Sequence, residues 1–486
     1  MNVPLRRLGM VIGLMLVALM LSTTAVQFFQ APALNANPLN VRTTYRQYAV
    51  DRGPIVVAGE NVAWSEATGN ELYQYQRVYA PGALYGHLTG YFSLAHNAST
   101  GVERYSNAVL GGTADSLLLS RVQDLFTGRQ PQGGSVELTV RPEVQQAIAS
   151  ALGNQRGAAV ALDPSTGAIL GMYSSPSYDP NLMAVHDRAT ADANYEALLA
   201  DAGRPLENRA TGTIQYAPGS TFKTIVAAAW LEADQDRDAR SEVPTLAHFQ
   251  LPGSTSVISN PAGQACGVSE TGEFIFAFKN SCNTTFAELA IELGWDEIHA
   301  MTEALGFSSD LTIPLAVENS AYPEVAGDAE LALTGIGQLD VRMSVLQNAM
   351  VAAAVANDGV LMRPYLVATE RDADLGVIRE ASPSEMSQPF SEHTASVLTE
   401  MMVAVVNEGT GTPAQMSEAQ VAAKTGTAES GTDAAQHAWM IAFAPAEDPQ
   451  VAVALVLEHG GDLGSGAYGG SAAGPLVRDI IRAALP

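Results

Sequence analysis

Lys223, Lys279 and Lys424 are the three lysines of a chain whose other 22 basic residues are arginine. Arginine keeps its proton, whereas a buried lysine can lose one and act as a base. Lys223 closes the stretch Tyr216-Ala217-Pro218-Gly219-Ser220-Thr221-Phe222-Lys223, ahead of an alanine-rich segment. Residues three apart share a helix face, so the Ser220 hydroxyl and the Lys223 amine can come within hydrogen-bond reach. A serine becomes nucleophilic when a neighbouring base takes its proton, and a lysine of lowered pKa can be that base. A helix N-terminus also offers free backbone N–H groups, one of which can hold an oxyanion. The spacing alone carries little, because a serine N-cap at an ordinary helix start looks the same. Two further groupings add weight. Lys424-Thr425-Gly426-Thr427 can offer an ammonium and a hydroxyl to a carboxylate, while its glycine lets a ligand approach the backbone. Ser281-Cys282-Asn283 sets a hydroxyl and an amide two positions apart on a loop, where both can face one cleft. Lys279, two positions before Ser281, reads as a solvated or loop-anchoring charge.

The elements that must position these groups follow from the apolar pattern. Ala158 to Leu162 and Ala168 to Tyr173 read as two strands around the turn Asp163-Pro164-Ser165-Thr166-Gly167. Thr224 to Glu232 reads as a helix buried on most sides. Ala438 to Ala444 and Val451 to Glu458 read as strands, and an amphipathic helix is expected from about Pro475. Upstream, Ile55 to Ala58 and Ser135 to Val140 read as strands, Glu143 to Leu152 as a helix, and Gly128 to Gly134 as a connector. Strands at both ends of the second region, with helices between them, give an α+β class with helices against an antiparallel sheet.

Composition bounds the function. The 486 residues carry 25 Lys+Arg against 51 Asp+Glu, a formal charge of −26, which excludes a generic nucleic-acid binder. No charge interrupts the chain between Arg7 and Arg42, and the apolar run from Leu8 to about Phe29 has the length of a bilayer-spanning helix. Arg6-Arg7 ahead of it place the N-terminus in the cytoplasm and the remainder outside. The run exceeds the ~7–15 apolar residues of a cleaved signal, which favours an anchor. Cys266 and Cys282, 16 positions apart, form a disulfide candidate in that exterior compartment. Two buried free thiols remain the alternative, because bridging needs a Cα separation that spacing does not supply. The eight histidines show no metal-ligand spacing, and neither a nucleophile-elbow motif nor a nucleotide-binding loop is present, so no metal and no cofactor are expected.

Ser-x-x-Lys, Ser-x-Asn and Lys-Thr-Gly in this order resemble the signature of the penicillin-binding protein and serine β-lactamase superfamily. The spacings of about 60 and 140 residues are similar to those of penicillin-binding transpeptidase domains. The likeness extends over residues 135–486, through Asp163-Pro164, Tyr178-Asp179-Pro180-Asn181, Asn208-Arg209-Ala210, Gly335-Ile336-Gly337-Gln338, Ala356-Asn357-Asp358-Gly359 and His437-Ala438-Trp439. Arg52-Gly53-Pro54-Ile55 and Gly101-Val102-Glu103 resemble the non-catalytic pedestal of the monofunctional class B members, and the whole is most like their short actinobacterial type. The expected division is a cytoplasmic tail over 1–7, an anchor over 8–29, a mostly-β pedestal over 30–155 and a transpeptidase domain over 156–486.

The resemblance implies roles. Ser220 would be acylated, with Lys223 as its proton acceptor. Ser281 would relay a proton to the leaving amine, supported by Lys424. Asn283 would bind the substrate amide, and Thr425 or Thr427, beside Gly426, its terminal carboxylate. The N–H groups of Ser220 and Thr427 would form the oxyanion hole. The implied activity is cross-linking of peptidoglycan stem peptides ending in D-Ala-D-Ala, in cell division or wall synthesis, with covalent inhibition by β-lactams. A pedestal of roughly 100 residues is too short for a glycosyltransferase, so a polymerising or divisome partner in the membrane is expected. The rivals are a D,D-carboxypeptidase, a β-lactamase, and a β-lactam receptor or divisome scaffold with little turnover.

Overall fold

The computed structural model describes residues 2–31, 34, 49–71, 73–117, 132–260, 266–267, 269–311, 313–429 and 435–486. The connector expected at 128–134 lies mostly outside them. Helix α1 (Asn2–Thr24) continues into one π-helical turn at Ala25–Phe29. Its most apolar window has a mean hydropathy of 2.1 and is wholly unburied, so the helix is long and apolar enough to cross a membrane.

Ala58 and Gly59, both at positive φ, turn β1 (Ile55–Val57) onto β2 (Glu60–Ala67), which pairs with β3 (Tyr75–Tyr79). The short helix α2 (Gly101–Tyr105) carries Glu103 into the middle of this unit, where it is fully buried. Its carboxylate accepts from Arg52 Nε and Arg77 Nε, each at 2.6 Å, and from the Tyr79 hydroxyl at 3.1 Å. Burial alone would push this carboxyl up, but the Arg77 and Arg52 guanidinium groups outweigh it and hold its pKa below the usual value. Strand β4 (Ser135–Leu138) then runs parallel to β1.

Helix α3 (Pro142–Leu152) opens on a proline, whose missing N–H costs nothing at the first helical position. Val144, Ile148 and Leu152 recur at helical spacing and are fully buried. They join the core of the next sheet, so α3 packs with the second unit although it precedes the expected 155/156 boundary. Strands β5 (Gly157–Leu162) and β6 (Ile169–Ser175) form a hairpin whose turn is held by Asp163 Oδ1, accepting from the N–H groups of Ser165 and Thr166. Helices α4 (Lys223–Glu232), α5 (Phe274–Lys279), α6 (Asn283–Ala304) and α7 (Val345–Ala356) follow. The chain then returns to the first unit. Strand β7 (Val367–Arg371) pairs antiparallel with β4, and β8 (Val377–Glu380) with β7. The first sheet therefore has the order β8-β7-β4-β1-β2-β3 and draws strands from both halves of the chain.

Helix α8 (Glu392–Glu408) is capped by Ser391 Oγ, which accepts from Thr394 N. Strands β9 (Ala422–Ala428), β10 (His437–Ala444) and β11 (Val451–Leu457) complete an antiparallel sheet of order β9-β10-β11-β5-β6. Alternate residues feed two cores. Ala158, Val160, Trp439, Ile441 and Val456 face the side covered by α7, whereas Ala159, Ala161, Met440, Val453 and Leu455 face α3 and the last helix. Both faces are covered, which is why these strands read as unbroken apolar runs rather than alternating ones.

The last helix, α9 (Gly469–Ala484), starts ahead of the expected Pro475, which lies inside it. Gly469 and Gly470 look like breakers in sequence but serve packing. A Cβ at Gly469 would collide with the backbone oxygens of Gly426 and Trp439, and one at Gly470 with that of Thr410. Tyr468 N donates to Ser471 Oγ at 3.0 Å and closes the helix start.

Candidate active site

Ser220 sits in a short 3-10 turn, Gly219–Thr221, that leads into α4 at Lys223. Residues three apart nearly eclipse in such a turn, so both side chains leave on the same face. The turn is clamped from several sides. Trp439 Nε1 donates to Ala217 O at 3.1 Å, Gly219 N to Gly337 O at 3.0 Å, and Thr221 Oγ1 to Asn348 Oδ1 at 3.2 Å. Gly219 has a φ of 55°, and a Cβ there would strike the Thr427 carbonyl. Only glycine brings the turn this close to the edge strand β9.

Lys223 and Lys424 are both completely buried and converge on Ser281. Lys223 Nζ donates to the Ser281 carbonyl at 2.8 Å, to Ser281 Oγ at 3.3 Å and to Asn283 Oδ1 at 2.7 Å. Lys424 Nζ donates to the same Ser281 Oγ at 2.9 Å and to Thr425 O at 3.0 Å. Neither lysine has a carboxylate partner among the described residues. Burial therefore lowers the pKa of Lys223 well below the ordinary lysine value, and the neighbouring Lys424 charge lowers it further. Burial brings Lys424 down to about 7. A neutral amine at one of the two is thus accessible near neutral pH. The three acceptors occupy all the donors of a charged Lys223, and Ser220 Oγ has no hydrogen-bond partner among the described residues. Catalytic hydrogen bonds are often unmade without substrate and form in the complex.

Ser281 lies between α5 and α6 at a φ of 58°, an uncommon conformation for a residue with a Cβ. Its neighbours hold it there. Ser281 N and Cys282 N donate back to Phe278 O and Ala277 O, and Cys282 is bonded to Cys266 with the Cα atoms 5.8 Å apart. Asn283 Nδ2 donates to Ser259 O at 2.9 Å, and Asn260 Oδ1 accepts from Thr284 N at 3.1 Å. The segment before the disulfide is thereby stapled to the start of α6. Lys279 pairs with Glu408 at 2.5 Å and its carbonyl accepts from Thr410 N, an anchoring contact between α5 and the end of α8.

On β9, Thr425 is buried and shares a 2.6 Å hydrogen bond with Thr410 Oγ1, whereas Thr427 stays partly exposed. Gly469 N, at the start of α9, reaches Thr427 Oγ1 at 3.4 Å, so the positive end of a helix faces this hydroxyl. The Thr427 carbonyl points out of the sheet toward Gly219, and in a strand the N–H of the same residue points to the same edge. That N–H and the N–H of Ser220 are available donors beside one another. A Cβ at Gly426 would come within 2.9 Å of Pro218 O, so glycine is required where the strand meets the turn.

The sequence places Glu458 at the end of the strand expected from Val451 and gives no sign there of its partners. Its buried carboxylate accepts from Arg209 Nε at 2.7 Å, from Arg156 at 2.6 Å and from the Tyr216 hydroxyl at 2.8 Å. It braces the segment leading into Ser220 from behind. The partners are far apart in sequence, and Asn208-Arg209-Ala210 was the one local signal.

The turn carrying Ser220, a lysine pair on a shared serine and an edge strand lie together beside the five-stranded sheet, the arrangement that the sequence motifs led one to expect of a penicillin-binding domain. The family described as "Penicillin binding protein transpeptidase domain" matches residues 157–482, and the chain belongs to it. A second family, "Penicillin binding protein A dimerisation domain", matches residues 52–136. The chain is similar over its whole length to Peptidoglycan D,D-transpeptidase PbpA of Mycolicibacterium smegmatis, at 43% identity over 494 residues covering 100% of this chain and 99% of that protein. The protein of that name in Mycobacterium tuberculosis is 41% identical over 499 residues, with the same coverage. Among solved structures, the ceftriaxone acyl-enzyme complex of M. tuberculosis penicillin-binding protein A superposes with a TM-score of 0.87 at 40% identity, covering 90% of this chain and 99% of that one. The penicillin G acyl-enzyme complex of the same protein gives 0.84 at 40% identity, covering 90% and 100%.

Proposed function

We propose that this chain is a membrane-anchored, serine-type peptidoglycan D,D-transpeptidase acylated at Ser220. The observation that carries the reading is the convergence of two buried lysines on Ser281; like the Ser220 hydroxyl, they have no carboxylate partner among the described residues. A neutral Lys223 takes the Ser220 proton as Oγ attacks the carbonyl between the two terminal D-Ala residues. The N–H groups of Ser220 and Thr427 hold the oxyanion, and Thr427, facing the start of α9, receives the terminal carboxylate. Ser281 passes a proton to the departing D-Ala amine and Lys424 supplies the charge beside it. Asn283 holds both Lys223 and the substrate amide. An amine of a neighbouring stem peptide then attacks the ester, regenerates Ser220 and forms the cross-link.

Arg6 and Arg7 support a cytoplasmic N-terminus with the catalytic unit outside. A polymerising partner in the membrane would supply the glycan strands. The test is to give the protein a stem pentapeptide together with a D-amino acid acceptor and to resolve products by mass spectrometry. Exchange of the terminal D-Ala for the acceptor is the expected outcome. Hydrolysis without exchange would make it a carboxypeptidase, and no turnover despite acylation a receptor.

A further inference from the structure

Beyond helix α1, every described arginine except Arg104 and Arg363 has a carboxylate partner. Both exceptions belong to one region. Arg363 lines a cavity of about 750 Å³ between the end of α2, the segment around Leu311–Val317 and the strands β7 and β8. Arg104 is exposed and immediately precedes Tyr105 and Ser106, which line the same cavity. Arg363 is partly buried yet makes no side-chain hydrogen bond or ion pair among the described residues. Its guanidinium therefore keeps its donors uncommitted on the cavity wall, although a chain with 51 acidic residues does not lack counter-charges. Its backbone is fixed, since Arg363 N donates to Ser384 O at 2.8 Å and Tyr365 N to Gly167 O at 3.1 Å. A planar guanidinium fork on a fixed backbone, with its donors uncommitted, is suited to a carboxylate. Asp310 and Glu380 also line the cavity and are exposed, so an ammonium fits the rim.

We propose that this cavity, remote in sequence from the Ser220 motifs, binds a short peptide carrying both a free carboxylate, held by Arg363, and a free amino group, held by Asp310 and Glu380. Resting on the function proposed above, that peptide is a stem peptide of the cell-wall polymer engaged outside the catalytic cleft. The cavity wall is built from the first unit and from the catalytic unit together, so one ligand touches both.

The test uses the full-length chain in detergent micelles, acylated beforehand with penicillin so that the cleft is closed. An N-acetylmuramyl tripeptide ending in a diamino acid is titrated in by calorimetry, with inorganic phosphate and the N-acetylated tripeptide as separate arms. Saturable binding to one site is expected, weakened by about tenfold or more in Arg363→Gln, the loss of one bidentate carboxylate contact. Weaker binding is likewise expected for the N-acetylated peptide and in Glu380→Gln, a change at an exposed side chain. Unchanged penicillin labelling shows each variant folded. Equal affinity in Arg363→Gln, no saturable binding, or phosphate binding as tightly as the peptide would overturn the proposal. Failed labelling of the unmodified chain would count instead against the function proposed above.

Discussion

Ser281 Oγ accepts from Lys424 Nζ at 2.9 Å and from Lys223 Nζ at 3.3 Å, so a single hydroxyl joins the lysines of two sequence motifs 201 positions apart. In the proposed mechanism this shared hydroxyl is the node through which a proton passes, and the lowered pKa of Lys424 ties the charge of the pair to pH near neutrality.

Replacing Lys424 by methionine removes the like charge that lowers the Lys223 pKa, so that pKa rises. The rising limb of the penicillin acylation rate against pH is expected to move to higher pH by about one unit or more, measured by stopped-flow. The stability effect has a definite sign. Lys424 titrates at about 7 when folded and from the ordinary 10.5 when unfolded, so the unfolded chain binds the extra proton between these values. Stability contributed through Lys424 therefore rises with pH across that window and is lowest below it. The methionine variant should lose this part of the slope.

Asn283→Ala removes the 2.7 Å acceptor of Lys223 and the donor to Ser259 O. Acylation by penicillin should fall by about 10²-fold or more, as for loss of a group in a proton-transfer network. The thermal midpoint should change little, because α6 remains packed through Phe286 and Leu289.

Cys266→Ser with Cys282→Ser opens a loop of 16 residues that holds Ser281 at its positive φ. Chain entropy alone assigns such a loop about 3 kcal/mol. Denaturant unfolding should show a loss of that order, together with slower acylation, and no change in either would show that the bridge is dispensable.

Glu103→Ala leaves Arg52 and Arg77 buried without their carboxylate. Breaking a buried pair in this way costs about 3–5 kcal/mol. Because β7 and β8 belong to the same sheet, this loss should appear as earlier unfolding of the first unit, followed by hydrogen exchange of β1 and β4.

The catalytic half of the chain was legible where its logic is local. The Ser220–Lys223 spacing, the β5–β6 hairpin and the apolar strands β10 and β11 each depend on neighbours within a few residues. What could not be read depends on distant pairing. Nothing near Val367 announces that it completes a sheet with Leu138, because register between strands so far apart is set by packing. The role of Glu458 could not be read because its partners Arg209, Arg156 and Tyr216 lie hundreds of positions earlier. The start of α9 at Gly469, ahead of Pro475, was hidden for another reason. Glycine marks both a helix end and a close approach of backbones, and here it marks the second.

The central claim is that Ser220 carries the acyl group. Treat the unmodified protein and Ser220→Ala with a fluorescent penicillin, then map the adduct by peptide mass spectrometry, with circular dichroism to show that both are folded. A long-lived adduct on the peptide containing Ser220 is expected, with no label on folded Ser220→Ala. Label persisting in that variant, or an adduct on any other residue, would contradict it.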